Sequence, residues 1–203
     1  MQRRSFLTGA IIVLAGILAA HQSARTAADP TALISNLGSR ALEVLGKGTP
    51  EPQRVARFRE LLREDFDVPG IARFVLGRYW NTATEEQRTE FVRLFEEYIA
   101  FTYSTQLAAY AGETFKVIGS RPEPDGAIVQ SQILRPAGQA PIKVDWRLTG
   151  RNGIYKISDV SVDGISMAVT QRSQFASVIQ HDGGQMQGLI EMLREKTRAS
   201  ASR

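Results

Sequence analysis

Ile142-Lys143-Val144-Asp145-Trp146-Arg147-Leu148-Thr149, followed by Gly150-Arg151-Asn152-Gly153 and then Ile154-Tyr155-Lys156-Ile157-Ser158-Asp159-Val160-Ser161-Val162, decides the fold class. In the first run Ile142, Val144, Trp146 and Leu148 fall on one face, and Lys143, Asp145 and Arg147 on the other. That alternation predicts a strand with one dry and one wet face. The turn-forming tetrapeptide between the runs predicts an antiparallel return. In the second run Tyr155 and Ile157 share one phase and Val160 and Val162 the other, which predicts a bulge or strong twist near Ser158-Asp159. Working back, 115–120 and 127–135 also alternate, separated by Pro122-Glu123-Pro124-Asp125-Gly126, and Ala137-Gly138-Gln139 precedes the decisive run. Four strands joined by short turns make a meander.

Helical periodicity flanks this block on both sides. Asp29-Pro30 opens a helix through Leu33, Leu37, Ala41 and Leu45, and 51–64 carries Val55, Phe58, Leu61 and Leu62 on one stripe. Asp67 is placed to cap a third helix before Val68-Pro69, and Gly77 to end it. Thr82 with Glu85, or Thr84 with Gln87, has capping-box spacing ahead of a long helix carrying Phe91, Leu94, Phe95, Tyr98 and Ile99. From Tyr98 to Gly112 no residue is charged, so this helix is apolar nearly all round and must be buried nearly all round. It is either a central core helix or a cavity-lining one; periodicity does not separate the two. After Gly164, 167–180 and 185–198 read as closing helices, with the tail after Thr197 disordered. Helices, then an antiparallel sheet, then helices define an α+β class in one domain.

The first residues read as an export signal. Arg3-Arg4 precede an uncharged run from Ser5 to Ala20 and small residues at Ala24, Ala27 and Ala28, so residues 1–28 form the leader and 29–203 the domain. The paired arginines before Phe6-Leu7 fit a twin-arginine signal or an ordinary basic start. The net charge of +4 resides mostly in the leader, whose three arginines face no acid. A nearly balanced domain has no electrostatic footprint for nucleic acid. Cysteine is absent and the two histidines are His21 and His181, which argues against Cys/His zinc sites and histidine-centred catalysis.

The phrases Phe66-Asp67, Leu76-Gly77-Arg78-Tyr79-Trp80, Tyr110-Ala111-Gly112-Glu113, Val144-Asp145-Trp146-Arg147-Leu148, the 155–166 segment and Arg172-Ser173-Gln174-Phe175 occur in an order that resembles the MlaC or toluene-tolerance family. The resemblance implies a periplasmic lipid carrier that is not an enzyme, needs no cofactor or metal, and holds phospholipid as cargo in a cavity between sheet and helices. It further implies two partners: an inner-membrane complex of MCE protein, permease and ATPase, and an outer-membrane lipoprotein complex. A hopanoid is the alternative cargo. The expected lipid-binding residues are Phe91, Phe95, Tyr98, Ile99, Tyr103 and Leu107 from the long helix, Val129, Ile133, Val144, Trp146 and Leu148 from the sheet, and Trp80 at a rim. Arg147 is a headgroup or partner-surface candidate, or a solvated arginine paired with a carboxylate across the strands. Asp159 and Asp163 flank a bend, where carboxylates usually bond backbone amides. An enzyme of the same class would draw on Asp145, Asp159, Asp163, Tyr98 and Tyr103, and an adaptor would have the same fold with a solid interior.

Overall fold

The alternating run 142–149 forms the central strand of a five-stranded antiparallel sheet in the computed structural model, which describes residues 29–44, 48–108, 113–135, 139–151 and 154–201. In chain order the strands are β1 (Thr114–Glu123), β2 (Gly126–Leu134), β3 (Ile142–Arg151), β4 (Ile154–Val162) and β5 (Ile165–Ser166), and they lie side by side in that order. The meander is as expected; β5, two residues long, is additional and too short to show periodicity. Register sets the faces. Val129, Trp146 and Val160 are cross-strand neighbours, as are Ser131, Val144 and Val162. The bulge is also where the sequence placed it. Arg147 pairs with Asp159 but Leu148 with Ile157, so Ser158 is the extra residue. This one-residue insertion returns Tyr155 and Ile157 to the face of Val160 and Val162.

At the end of β4 the turn needs a left-handed residue, and Asp163 adopts φ 47°. Aspartate tolerates that region because its short carboxylate can bond locally. Here the Lys143 N–H donates to Asp163 Oδ1 at 3.0 Å, and the Asp163 N–H donates to Lys143 O at 2.9 Å.

Seven helices accompany the sheet among the described residues: α1 (Pro30–Val44), α2 (Glu51–Asp65), α3 (Val68–Leu76), α4 (Tyr79–Thr82), α5 (Glu85–Leu107), α6 (Met167–His181) and α7 (Met186–Ala201). Their ends follow the sequence signals. Gly70 N–H donates to Asp67 Oδ1 at the start of α3, Gly77 ends it at φ 55°, and Thr84 and Gln87 complete the capping box of α5. The short α4 was not expected. Helix α7 continues to Ala201, so a disordered tail does not begin after Thr197. The expected leader, 1–28, lies outside the described residues.

The interior has two parts. One is helical, built on Leu62, Val75, Leu76, Phe91, Leu94, Phe95, Phe175, Ile179, Leu189, Ile190 and Leu193. The other joins α1 to the sheet through Ile34, Leu37, Val44, Leu61, Val129, Leu148 and Ile157. Adjacent residues of α2 serve different parts, Leu61 the sheet and Leu62 the helices, while Phe58 and Phe66 pack against both. Beyond α2 the chain closes the edge of β4, with the Asp67 N–H donating to Ile157 O at 2.9 Å.

One expectation needs correcting here. The expected lining draws on the long helix and the sheet together, but α5 packs mainly against α2, α3 and α7, and the helix on β1 and β2 is α1. Gly38 permits that approach, since a Cβ there would stand 2.3 Å from the Phe115 ring.

Candidate functional site

The proposed lining residues separate by burial. Phe91 is 0% exposed and Phe95 4%; their rings stack at 5.7 Å and meet Phe175 edge-on at 5.8 and 6.2 Å. A side chain without accessible surface borders no space that a water could enter, so these two rings are helical core. Val129 at 0%, Leu148 at 1% and Val144 at 4% are likewise closed in on the sheet side. The sequence could not separate these five from the rest, because α5 supplies apolar residues to every face and Phe175 arrives from a distant helix.

The remaining candidates keep apolar surface. On α5, Tyr98, Ile99, Tyr103 and Leu107 are half-buried, and Phe101 joins them; on the sheet, Ile133 and Trp146 are half-buried, with Ile142, Val160 and Val162 beside them. Phe101, Ile142, Val160 and Val162 were missed as site candidates. The bulge at Ser158 was the available signal for the last two, since it restores them to the face of Trp146. Trp80 does not join this group. Arg88 lies 5.6 Å over its ring and donates Nε–H to Trp80 O at 2.8 Å, near the start of α5. At 1.5 Å per residue, that is about 22 Å along the helix from Tyr103.

Polar atoms along these surfaces are mostly bonded. Trp146 donates its indole N–H to Ser131 Oγ at 2.8 Å, Ser131 donates to Val144 O at 3.2 Å, and Phe115 packs edge-on against the indole at 6.2 Å. The buried end of α5 is held from α2, where Arg54 donates Nε–H to Ser104 O at 3.1 Å. A cation is favourable at a helix C-terminus, where carbonyls lack partners. Burial raises the Tyr103 phenol above its ordinary pKa, and nearby Tyr98 and Asp159 add to the shift. Among the described residues three buried side-chain atoms have no partner: Arg59 Nε, Glu113 Oε2 and Nε2 of Gln171, which is 7% exposed.

Two of the three carboxylates considered for chemistry, Asp159 and Asp163, hold backbone instead. Asp159 accepts from Val160 N–H at 2.8 Å, Ala168 N–H at 3.1 Å and the Ser166 hydroxyl at 2.6 Å, tying α6 to β4. Asp163 is occupied with Lys143, as described above. Arg147 is exposed and pairs with Glu123 at 3.4 Å, a carboxylate that also holds Arg121. This is the cross-strand pair that the sequence offered as one reading of Arg147.

Two shallow surface hollows lie elsewhere. One is lined by Arg78, Tyr79, Thr82, Gln180 and Gly184, the other by Leu33, Asn36, Ser39, Arg40 and Asp65. Neither includes an expected lipid-binding residue.

Comparison with known proteins agrees with the fold and the motif order. The chain is 26% identical over 132 residues to the intermembrane phospholipid transport system binding protein MlaC of Haemophilus influenzae, a match covering 63% of this chain and 59% of that relative. It therefore spans about three-fifths of the length of that curated relative. Among solved structures, the phospholipid-binding protein from Ralstonia solanacearum in complex with a phospholipid superposes with a TM-score of 0.70 at 25% identity, covering 86% of this chain and 99% of that one. The family model described as MlaC protein matches residues 36–195. With most of its length matched in this way, the chain belongs to the MlaC family.

Proposed function

We propose that this protein is a lipid carrier whose acyl-chain site opens between the C-terminal half of α5 and the face of the sheet bearing Trp146 and Val160. The observation that carries the reading is the divided interior. Beside the two fully buried clusters stand two rows of half-buried apolar side chains, and Tyr98, Ile99, Phe101, Tyr103 and Leu107 of α5 form one. Ile133, Ile142, Trp146, Val160 and Val162 form the other. Tails need such a wall, because an unpaired polar atom against hydrocarbon costs about 1–3 kcal/mol. The need for a carrier is equally physical. At about 0.8 kcal/mol per methylene, two chains of ~16 carbons resist passage through water by roughly 25 kcal/mol.

The cargo is a phospholipid, in keeping with the ligand of the Ralstonia solanacearum relative. The protein acts in the periplasm after export by its leader, moving lipid between an inner-membrane complex of MCE protein, permease and ATPase and an outer-membrane lipoprotein complex. It performs no chemistry on the cargo. The test is native mass spectrometry on protein purified without detergent, with fragmentation of any bound species. A diacyl phospholipid at a fixed stoichiometry is the expected result. A hopanoid in its place changes the cargo, and bare protein that also takes up no lipid from vesicles refutes the carrier.

A further inference from the structure

Helices α3 and α6 pack side by side, and neither carries a carboxylate. Their outward residues include Arg73 and Phe74 on α3 and Val169 and Arg172 on α6, with Ile165 immediately before the α6 cap. The apolar members are well exposed: Phe74 44%, Val169 52% and Ile165 61%. Arg172 makes the surface continuous across the two helices. Its guanidinium lies 5.3 Å over the Phe74 ring and 2.8 Å from where a Cβ on Gly77 would stand, with Arg78 next in the chain.

Several arginines elsewhere are paired with carboxylates. Arg40 pairs with Glu64 and Asp65, Arg63 with Glu96, Arg93 with Glu97, and Arg194 with Glu90. Among the described residues Arg73, Arg78 and Arg172 have no carboxylate partner. Three acids that flank these helices in the chain are already bonded to backbone, Asp67 to Gly70, Asp163 to Lys143 and Asp182 to Gly188. Guanidinium groups beside exposed apolar side chains complement a phosphate layer over hydrocarbon: the fork-shaped cations bind phosphate, and apolar groups enter the interface.

We propose that the α3–α6 face docks the protein on the surface of an anionic bilayer, with Phe74, Val169 and Ile165 entering the headgroup region and Arg73, Arg78 and Arg172 meeting lipid phosphates. The face starts beside the Ser166–Asp159 link, and the charge of Asp159 acts on the Tyr103 phenol. Docking therefore turns the Tyr103 end of α5 toward the membrane. The surface itself does not depend on the cargo reading, since it is defined by exposed residues alone.

The test is co-flotation of protein from cells expressing the full chain with vesicles of phosphatidylcholine, alone or with about 30 mol per cent phosphatidylglycerol, at low and high salt. Binding is expected on the anionic vesicles and should weaken with salt. At about fivefold per basic residue near an anionic surface, Arg73→Gln with Arg172→Gln should lower partitioning about 30-fold. Phe74→Ser with Val169→Ser should lower it as well. Bound lipid, read by native mass spectrometry, should be unchanged in both double variants. Failure to float, equal binding to both vesicle types, or undiminished binding of both folded variants overturns the proposal, and the face would then fit a protein partner better. A protein that floats but never carries lipid refutes the carrier reading and leaves this docking surface standing.

Discussion

Replacing Val160 by tryptophan, alongside the same change at Val129, distinguishes a lined space from a packed core. The two valines lie on one face of the sheet, each a cross-strand neighbour of Trp146. Val129 is 0% exposed, while Val160 is half-buried. An indole in place of an isopropyl group takes the room of about three methylenes, worth about 2.4 kcal/mol of tail burial at 0.8 kcal/mol each. Val160→Trp should therefore weaken lipid binding about 60-fold, with little change in melting temperature. At Val129 the indole has no room, and overpacking should cost about 1–3 kcal/mol of stability. For a domain of this size that lowers Tm by about 2–12 °C. Thermal melts and lipid-to-protein ratios by native mass spectrometry read both effects. Full lipid occupancy in a folded Val160→Trp protein would refute the placement of the site, and an unchanged melt for Val129→Trp would refute the division of the core.

Gly38→Ala should destabilise the protein by about 1–3 kcal/mol despite the helix-propensity gain of about 1 kcal/mol, because the new methyl would meet the Phe115 ring at 2.3 Å; urea titration checks the sign. Asp159→Ala should cost about 2–3 kcal/mol by freeing two backbone N–H groups and the Ser166 hydroxyl, and hydrogen exchange should show the first turn of α6 opening first. Glu90 is held below its ordinary pKa by hydrogen bonds from Arg194, so its contribution is complete above pH 4.5 and is lost as pH falls through the lower folded value. Glu90→Gln should flatten the fall in stability below pH 4.5, as denaturant titrations across that range would show.

The elements that could be read from sequence are those fixed by local chemistry. The alternation of 142–149, the phase break at Ser158 and the caps at Asp67, Thr84 and Gly77 each express one backbone requirement through adjacent residues. The placement of α5 was not local. An all-round apolar helix satisfies any neighbour, and nothing near Phe91 or Phe95 in the chain announces Phe175. The same gap explains Trp80, whose partner Arg88 assigns it to the far end of α5. Of the proposed site, Tyr98, Ile99, Tyr103, Leu107, Ile133 and Trp146 could be read in advance as apolar residues of the long helix and the sheet. Which of them retain surface depended on how two cores divide.

That division bears on how the molecule unfolds. Helix α2 gives Leu61 to one core and Leu62 to the other, and Phe58 and Phe66 touch both. Neither core can come apart without stripping one side of the same helix. The two halves are thus thermodynamically coupled, and calorimetry should give one endotherm whose van't Hoff and calorimetric enthalpies agree. A protein built this way holds its helical and sheet halves as a single cooperative unit against denaturation.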